Sequence, residues 1–243
     1  MDKLKELQDV IDRSQNIVFF GGAGVSTESN IPDFRSSDGV YSVTLGRHFT
    51  AEQLVSHTMF ERYPEDFFDF YKKYLLYPDA KPNAAHRYLA WLEQTGKLKA
   101  VVTQNIDSLH EMAGSKKVLK LHGSADRNYC TGCQRFYDLE AFLALAGTIP
   151  HCLDCGKVVK PDVTLYEEPL DMDVFSQAAR AIQEADLLII GGTSLVVYPA
   201  ASLIQYFQGK NLVVINKTNI PQDKQADLVI EGKIGQVFSK LRQ

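Results

Sequence analysis

The sequence has little of what marks several large classes of protein. It contains no long apolar run, four cysteines among 243 residues, and a single tryptophan. Without an apolar run of about 20 residues, we expect no helix that crosses a bilayer and no membrane partner. There is no basic excess either, because 26 Lys and Arg stand against 30 Asp and Glu, for a net charge of -4. Binders of nucleic acid usually carry such an excess, so we expect no specific nucleic-acid partner.

What is present is typical of a globular protein, with 45% hydrophobic and 23% charged residues. The first 15 residues are too charged for a signal peptide. Their apolar side chains recur at helical spacing, which predicts an amphipathic helix. We therefore expect a cytoplasmic protein.

Apolar runs rich in β-branched residues alternate with segments of helical pattern. The runs are continuous, which is typical of strands covered on both faces. Helical patterns at 83–95, 171–184 and 199–208 separate several of them. This alternation predicts an α/β fold with a doubly wound parallel sheet. The predicted strands lie at 17–20, 99–105, 118–123, 186–192, 211–216 and 227–232.

Two stretches interrupt this alternation, and we interpret both as insertions that build a smaller lobe. Residues 31–82 are rich in Phe and Tyr and predict a loop followed by helices, whereas residues 126–159 contain every cysteine. The expected large domain then comprises residues 1–30, 83–125 and 160–243.

The stretch "GGAGVSTESNIPDFR" begins at Gly21, directly after the first predicted strand. Glycines at such a turn let backbone N–H groups approach a pyrophosphate. The third glycine of the dinucleotide fingerprint is missing, and Pro32 ends any helix quickly, unlike the turn of a dehydrogenase. Taken alone, the stretch fits a nucleotide-binding loop or a surface loop with a salt-bridged Arg35.

The cysteines form two C-x-x-C pairs with 18 residues between them, Cys130 with Cys133 and Cys152 with Cys155. This spacing is typical of a ribbon-type zinc site. Four thiolates would close the tetrahedral shell, so we expect one structural zinc ion per chain. Disulfides or a redox pair are the alternatives, and neighbouring His151 is a possible substitute ligand.

Polar side chains follow several of the predicted strands. In a parallel sheet the carboxyl ends of the strands form the ligand-binding edge. Each of these residues could instead cap a helix or stabilise a turn. Because all of them should face the crevice beside the glycine-rich stretch, we expect a shared site that contains Gln104, Asn105, Asp107, His122, Thr193, Ser194 and Asn216.

These motifs, in this order, resemble the sirtuins, which are NAD-dependent protein deacylases. The resemblance rests on "GAGVSTESNIPDFR", "TQNID", "LHG", the paired C-x-x-C, "KPDVTLYEE", "GTSLVVYP" and "IN", and it covers nearly the whole chain. It implies a Rossmann-type large domain and a small domain made of a helical insertion, residues 31–82, and a zinc ribbon, residues 126–159. NAD and an acyl-lysine peptide would enter the cleft between the two domains.

The resemblance also implies roles for single residues. His122 would be the general base, with Asn105 as a second catalytic residue. The NAD contacts would be Ala23, Thr27, Phe34, Arg35, Gln104, Ile106, Asp107, His122, Thr193, Ser194, Asn216 and Ile234, of which Ile106 and Asp107 form the nicotinamide pocket. The peptide contacts would be Val163, Leu165, Tyr166, Glu167 and Val196.

Sirtuin-type chemistry consumes NAD. The bond between nicotinamide and ribose breaks, the acyl oxygen attacks the exposed sugar carbon, and His122 removes a proton from a ribose hydroxyl. The products are nicotinamide, free lysine and O-acyl-ADP-ribose. The alternatives are a mono-ADP-ribosyltransferase, an NAD-dependent dehydrogenase, and a zinc-ribbon nucleic-acid module, although residues 126–159 are not basic.

Three features of the sequence differ from patterns found among the sirtuins. Asn30 stands where the family usually has glycine, and asparagine tolerates left-handed backbone angles. Tyr166-Glu167-Glu168 replaces a motif with a central glycine, and the carboxylates of Glu167 and Glu168 predict a preference for basic peptide flanks. Tyr71 and Tyr74 align with the Tyr-x-x-Arg pair of desuccinylating relatives, with tyrosine in place of the arginine, which predicts deacetylation ahead of desuccinylation.

Overall fold

The computed structural model describes residues 2–34, 36, 39–44 and 49–242, without the side chains of residues 43 and 44. Its helices are α1 (Lys3–Arg13), α2 (Ala51–Leu54), α3 (His57–Arg62), α4 (Pro64–Tyr74), α5 (Ala84–Gln94), α6 (Leu109–Met112), α7 (Leu139–Leu143), α8 (Met172–Gln183) and α9 (Ile234–Phe238). Its strands are β1 (Ile17–Gly21), β2 (Leu98–Thr103), β3 (Val118–Lys120), β4 (Gly123–Cys130), β5 (Phe136–Tyr137), β6 (Val159–Val163), β7 (Leu187–Gly191), β8 (Asn211–Asn216) and β9 (Leu228–Glu231).

Six of the strands form one parallel sheet in the order β3-β2-β1-β7-β8-β9. The chain order runs outward in both directions from β1 and β7, so the topological switch point lies between these two strands. In open parallel sheets a crevice for ligands forms beside the carboxyl ends of such strands. The glycine-rich stretch follows β1 and therefore starts at this crevice.

Two apolar layers cover the sheet, which explains why the strands are apolar on both faces. Along β1, Ile17 and Phe19 belong to the cluster packed with α1, α5 and α9. Val18 and Phe20 face the opposite cluster, beside α8 and the 3-10 turns at Ala200–Tyr206. The predicted doubly wound α/β fold with a smaller lobe is confirmed. Residues 199–208, predicted as a helical segment, instead contain these 3-10 turns.

The smaller lobe has its own sheet and its own core. The antiparallel strands β5, β4 and β6 form the second sheet. Side chains from α2 to α4 and from the cysteine-containing segment share a third cluster, which includes Phe67, Phe68, Cys130, Phe142 and Cys152. Strands β4 and β6 cross the expected domain limits at 125/126 and 159/160, so we propose those limits only as approximate.

The run 118–123, predicted as one strand, is split between the two sheets. Strand β3 ends at Lys120, and β4 begins at Gly123 with φ 76°. A Cβ atom at Gly123 would lie 2.0 Å from the carbonyl oxygen of Asp162, so glycine is required at this bend. The bend places His122 at the junction of the two lobes.

Across the part of the chain that the structure describes, no helix is long and apolar enough to cross a membrane. The predicted N-terminal helix is present as α1. Asp2 caps its N-terminus, because the Asp2 carboxylate accepts a hydrogen bond from the Leu4 N–H, and the helix buries Leu7, Val10 and Ile11 against the sheet.

Candidate active site

A cavity of about 1070 Å³ lies between the two lobes, at the carboxyl ends of the parallel strands. Its volume is at the upper end of the range of small-molecule sites. It is lined by most of the residues that the sequence places in a site: Ala23, Thr27, Phe34, Gln104, Asn105, Ile106, Asp107, His122, Val163, Leu165, Tyr166, Glu167, Thr193, Ser194, Asn216 and Ile234. Val196 is half-exposed and does not line the cavity, and Arg35 lies outside the described residues.

The glycine-rich stretch follows β1 without forming an α-helix. Two 3-10 turns, Ala23–Val25 and Thr27–Ser29, follow the strand instead. The Gly24 N–H donates to the carbonyl of Gly192 at 2.8 Å, and a Cβ at Gly24 would meet that backbone at the same distance. Asn30 adopts φ 64° and ψ 22°, as its replacement of glycine predicts. The backbone of this stretch thus lies closely against the end of β7.

The loop after β2 carries Asn105 and Asp107, and both side chains bond to Ser26 in the glycine-rich stretch. Ser26 Oγ donates to Asp107 Oδ2 at 2.9 Å and accepts from Asn105 Nδ2 at 3.1 Å. Burial raises the pKa of Asp107, whereas hydrogen bonds from the Leu109 N–H and from Ser26 lower it. These contacts join two segments that are about 80 residues apart in sequence.

His122 is held in one tautomer by the chain itself. Its Nδ1 lies 2.9 Å from the carbonyl oxygen of Gln104, which can only accept a hydrogen bond. Nδ1 therefore carries the proton, and Nε2 is left as the acceptor of the neutral ring. Burial lowers the pKa of His122, and the Gln104 carbonyl partly offsets this effect. The ring is neutral at pH 7 and suited to removing a proton.

Three of the predicted NAD contacts bond to one another. Asn216 Oδ1 accepts from the Thr193 N–H at 3.0 Å, and Asn216 Nδ2 donates to the Thr193 carbonyl at 2.8 Å. Gln104 Nε2 donates to Thr193 Oγ1 at 2.9 Å. This network fixes the ends of β2, β7 and β8 relative to one another. These three polar strand ends thereby meet at one cavity, and their mixture of donors and acceptors fits a dinucleotide.

The segment 163–168, which contains four of the predicted peptide contacts, is mostly not a strand of the small sheet. Strand β6 ends at Val163, and Leu165 is buried in the small lobe. The Tyr166 N–H donates to the Val55 carbonyl, and the Tyr166 carbonyl accepts from the His57 N–H. Residues 55–57 of the helical insertion therefore already pair with this edge.

The two carboxylates of this segment are also engaged within the chain. Glu168 accepts from the Leu165 N–H at 2.9 Å and pairs with His57 and Lys160. These contacts compensate part of the Glu168 charge within the chain. The preference of Glu167 and Glu168 for basic peptide flanks stays a prediction. Glu167, at φ 77°, accepts from the N–H and hydroxyl of Thr58.

The four cysteines form a closed cluster in the small lobe. Their sulfur atoms all lie within 4.8 Å of one another, with Cys130 and Cys152 buried and the other two exposed. Backbone N–H groups of Gly132 and Cys133 donate to Cys130 Sγ, as expected for a thiolate ligand. The donor set fits one zinc ion. His151 is not part of the cluster, and its Nδ1 bonds to the Gly156 carbonyl.

Two polar residues, one beside the cavity and one lining it, are not predicted by the sequence patterns. Lys120 follows two apolar residues in β3, and its side chain is nearly buried behind the cavity wall. Asp126 lines the cavity beside Tyr71, whose hydroxyl is buried without a partner among the described residues. A charged residue inside an otherwise apolar run is the signal that identifies Lys120.

Comparisons with known proteins agree with this site. A profile of the Sir2 family matches residues 22–199. The NAD-dependent protein deacetylase of Clostridium perfringens (strain 13 / Type A) is 62% identical over 241 residues, which cover 99% of this chain and 98% of that protein. The NAD-dependent protein deacetylase of Cutibacterium acnes (strain DSM 16379 / KPA171202) is 48% identical over 239 residues, covering 98% of this chain and 97% of that protein.

Solved structures show the same similarity. A structure of Sir2 with a p53 peptide and NAD+ has a TM-score of 0.86 and 37% identity, covering 98% of this chain and 96% of that chain. A structure of Sir2 bound to acetylated peptide has a TM-score of 0.85 and 36% identity, again covering 98% and 96%.

Proposed function

The chain belongs to the Sir2 family, and on that premise we propose that it is an NAD-dependent protein lysine deacetylase that cleaves NAD to nicotinamide and forms O-acetyl-ADP-ribose. The observation that carries the proposal is the position of His122, with a free Nε2, in the same cavity as the glycine-rich stretch. The names of the relatives favour this activity over mono-ADP-ribosyl transfer and over hydride transfer.

We propose that NAD lies along the carboxyl ends of β1, β2, β7 and β8. Its contacts would come from the predicted residues that line the cavity, together with Arg35. NAD supplies the ribose, whose carbon is attacked by the acyl oxygen and whose hydroxyl finally carries the acyl group. Asn105 and Asp107, held by Ser26, would orient the nicotinamide amide, because a carboxylate accepts hydrogen bonds from such an amide.

In this proposal His122 acts as the general base. The Gln104 carbonyl keeps the proton on Nδ1, so Nε2 accepts the proton of a ribose hydroxyl. A lowered pKa keeps the ring unprotonated at neutral pH, at the cost of some basicity. The surrounding apolar walls, which include Phe34, Ile106 and Val163, would keep water from the exposed sugar carbon until the acyl oxygen has attacked it. One water molecule is consumed afterwards, because NAD, acetyl-lysine and water together balance nicotinamide, lysine and O-acetyl-ADP-ribose.

The substrate is proposed to be an acetyl-lysine side chain of a protein. Its backbone would dock between the segment 163–167 and the loop that contains Val196. Residues 55–57 already pair with the backbone of Tyr166, so the main-chain groups of Tyr166 are not available to a peptide. We also propose a cytoplasmic location, and one zinc ion held by Cys130, Cys133, Cys152 and Cys155 that stabilises the small lobe and takes no part in the chemistry.

The test is an incubation of the protein with NAD and an acetyl-lysine peptide, with His122→Ala as the matched variant. We expect equal amounts of nicotinamide, deacetylated peptide and O-acetyl-ADP-ribose from the unaltered protein. ADP-ribosylated peptide without deacetylation would instead favour the transferase, and reduced nicotinamide would favour the dehydrogenase.

A further inference from the structure

Lys120 is a nearly buried cation whose three donors are all used. Its ammonium group donates to Ser108 Oγ at 2.9 Å and to Ser124 Oγ at 3.1 Å. It also pairs with Glu111 Oε1 at 3.0 Å, and the Lys120 side chain is only 6% exposed. An ammonium group has three N–H donors, so these contacts satisfy it completely. Burying a charge is costly unless it is paired and hydrogen-bonded in this way.

The partners of Lys120 belong to the two segments that carry the reactive groups. Ser108 follows Asp107 in the loop after β2. Glu111 lies in α6, the helix that directly follows this loop. Ser124 lies in β4, two residues after His122. The same segments are also joined by the Ala125 N–H, which donates to the Ile106 carbonyl at 2.9 Å. Lys120 therefore holds the Asp107 loop against the His122 segment.

We propose that Lys120 is a positioning residue of the nicotinamide pocket, which holds the loop of Asp107 in place relative to His122 and places a positive charge near the Asp107 carboxylate. This inference rests on the proposed function, because it assumes that Asp107 accepts a hydrogen bond from the nicotinamide amide. It adds a residue that does not itself line the cavity.

The charges around Asp107 support this role. Among the described residues, two charged side chains act on its carboxylate, Lys120 from β3 and Glu111 from α6. Lys120 lowers the pKa of Asp107, and Glu111 raises it. The other direct contacts, with the Ser26 hydroxyl and the Leu109 N–H, are neutral donors. Removing the Lys120 charge should therefore raise the pKa of Asp107, whereas removing the Glu111 charge should lower it.

The experiment measures the inhibition constant of nicotinamide from pH 5 to pH 8 in the deacetylation assay. For Lys120→Met, we expect nicotinamide binding to weaken at pH 6 by roughly three- to tenfold relative to the same variant at pH 8, the effect of one weakened hydrogen bond. The acidic limb of the profile, that is, the pH range in which nicotinamide binding weakens as the pH falls, moves to higher pH. For Glu111→Gln, we expect this limb to move to lower pH. Lys117→Met, which alters an exposed side chain three residues away, is the control and should keep the unaltered profile.

The opposite directions distinguish a charge effect from a loss of packing. If both variants shift the limb in the same direction, or neither shifts it, the inference is overturned. If Lys120→Met does not fold, the test rests on the pH profile of Glu111→Gln. An acidic limb that stays in place or moves to higher pH in this variant then overturns the inference. An unaltered protein that neither deacetylates nor responds to nicotinamide would refute the proposed function itself, which is a separate outcome.

Discussion

At the scale of single residues, the site depends on hydrogen bonds that the chain makes to its own reactive groups. The Gln104 carbonyl selects the tautomer of His122, and Ser26 orients Asp107 and Asn105. Each reactive side chain is therefore oriented before a ligand binds, which is the usual requirement for efficient catalysis.

Replacing His122 tests the general base. We expect His122→Ala to lower kcat for deacetylation by roughly a hundred- to ten-thousand-fold, the usual contribution of a positioned base. Exchange of labelled nicotinamide into NAD should fall less, because it precedes proton removal. The melting temperature should stay close to that of the unaltered protein, since the ring makes one hydrogen bond to the backbone. A variant that retains near-normal turnover would rule out His122 as the base.

The residues that line the cavity also determine which acyl group is removed faster. Tyr71 and Tyr74 line the cavity. Burial raises the pKa of Tyr71, and the nearby Asp126 carboxylate raises it further. A succinyl carboxylate would therefore meet aromatic walls and a like charge. Burying an unpaired carboxylate costs several kcal/mol, and about 1.4 kcal/mol is a factor of ten in rate. We expect kcat/KM for an acetyl peptide to exceed that for a succinyl peptide by about a hundredfold or more.

A cation at position 74 should reduce the difference in kcat/KM between the acetyl and succinyl peptides. We expect Tyr74→Arg to raise kcat/KM for the succinyl peptide about tenfold or more, by pairing the carboxylate. Lys72→Arg is the matched control, because Lys72 bonds to the Gly147 carbonyl and does not line the cavity. Faster removal of succinyl than acetyl by the unaltered protein would show that the pocket argument is wrong.

At the scale of elements, the cysteine cluster holds the small lobe together. Cys130 and Cys152 lie within the apolar cluster that also contains Phe67, Phe68 and Phe142 of the helices. A zinc ion there would stabilise the ribbon and, through the shared core, the helical insertion. We expect about one zinc per chain by metal analysis, and Cys130→Ala should lose both metal and much of its solubility.

The neighbouring histidine offers a control for the metal. His151→Ala should retain zinc, since its ring bonds to the Gly156 carbonyl instead of joining the four sulfur atoms. Fresh, fully active protein without any zinc would contradict the structural role. Loss of zinc in His151→Ala would identify His151 as a ligand.

Helices α5 and α6 meet through two buried histidines. The rings of His86 and His110 lie 4.7 Å apart, and the structure gives no partner to His86 Nε2 or to either ring nitrogen of His110 among the described residues. Burial lowers the pKa of His86 to about 4 and the pKa of His110 well below its ordinary value. The unfolded chain therefore binds more protons than the folded chain below about pH 6.5.

This contact predicts that stability falls with acid. Lowered histidine pKa values contribute stability that is complete above about pH 6.5 and is lost as the pH falls toward the folded-state values. We expect about 2 kcal/mol of stability to be lost for each histidine between pH 7 and pH 5, or roughly 3–4 kcal/mol for the pair. Melting temperatures across this range should fall less steeply for His110→Phe, whereas the exposed control His151→Phe should leave the slope unchanged. If melting temperature falls with pH as steeply in His110→Phe as in the unaltered protein, the buried histidines are not the cause of the acid sensitivity.

Much of the fold can be predicted from the sequence, because the patterns that indicate its strands and its metal cluster each lie within a short stretch of residues. Continuous apolar runs indicated the six parallel strands, and the two C-x-x-C pairs indicated the metal cluster. The bend at Gly123 was missed, since nothing in "VLKLHG" shows that the segment passes from one sheet to another. The pairing of Glu168 with His57, 111 residues away in sequence, depends on tertiary structure and was also missed.

At the scale of the whole molecule, the two lobes meet at the cavity that contains nearly all of the predicted site residues. The large lobe contributes the strand ends and the glycine-rich stretch, and the small lobe contributes Tyr71, Asp126 and the segment 163–168. This division explains how one chain brings a dinucleotide and an acylated side chain together, because each lobe provides one wall of the cleft.

The products formed from NAD and an acetyl-lysine peptide test this account most directly. Mass spectrometry of the mixture should show nicotinamide, deacetylated peptide and O-acetyl-ADP-ribose in equal amounts, with the acetyl group transferred to the ribose. His122→Ala should form far less of all three. Acetate released without consumption of NAD, or NAD consumed without deacetylation, would contradict the central claim that this cavity couples the two substrates.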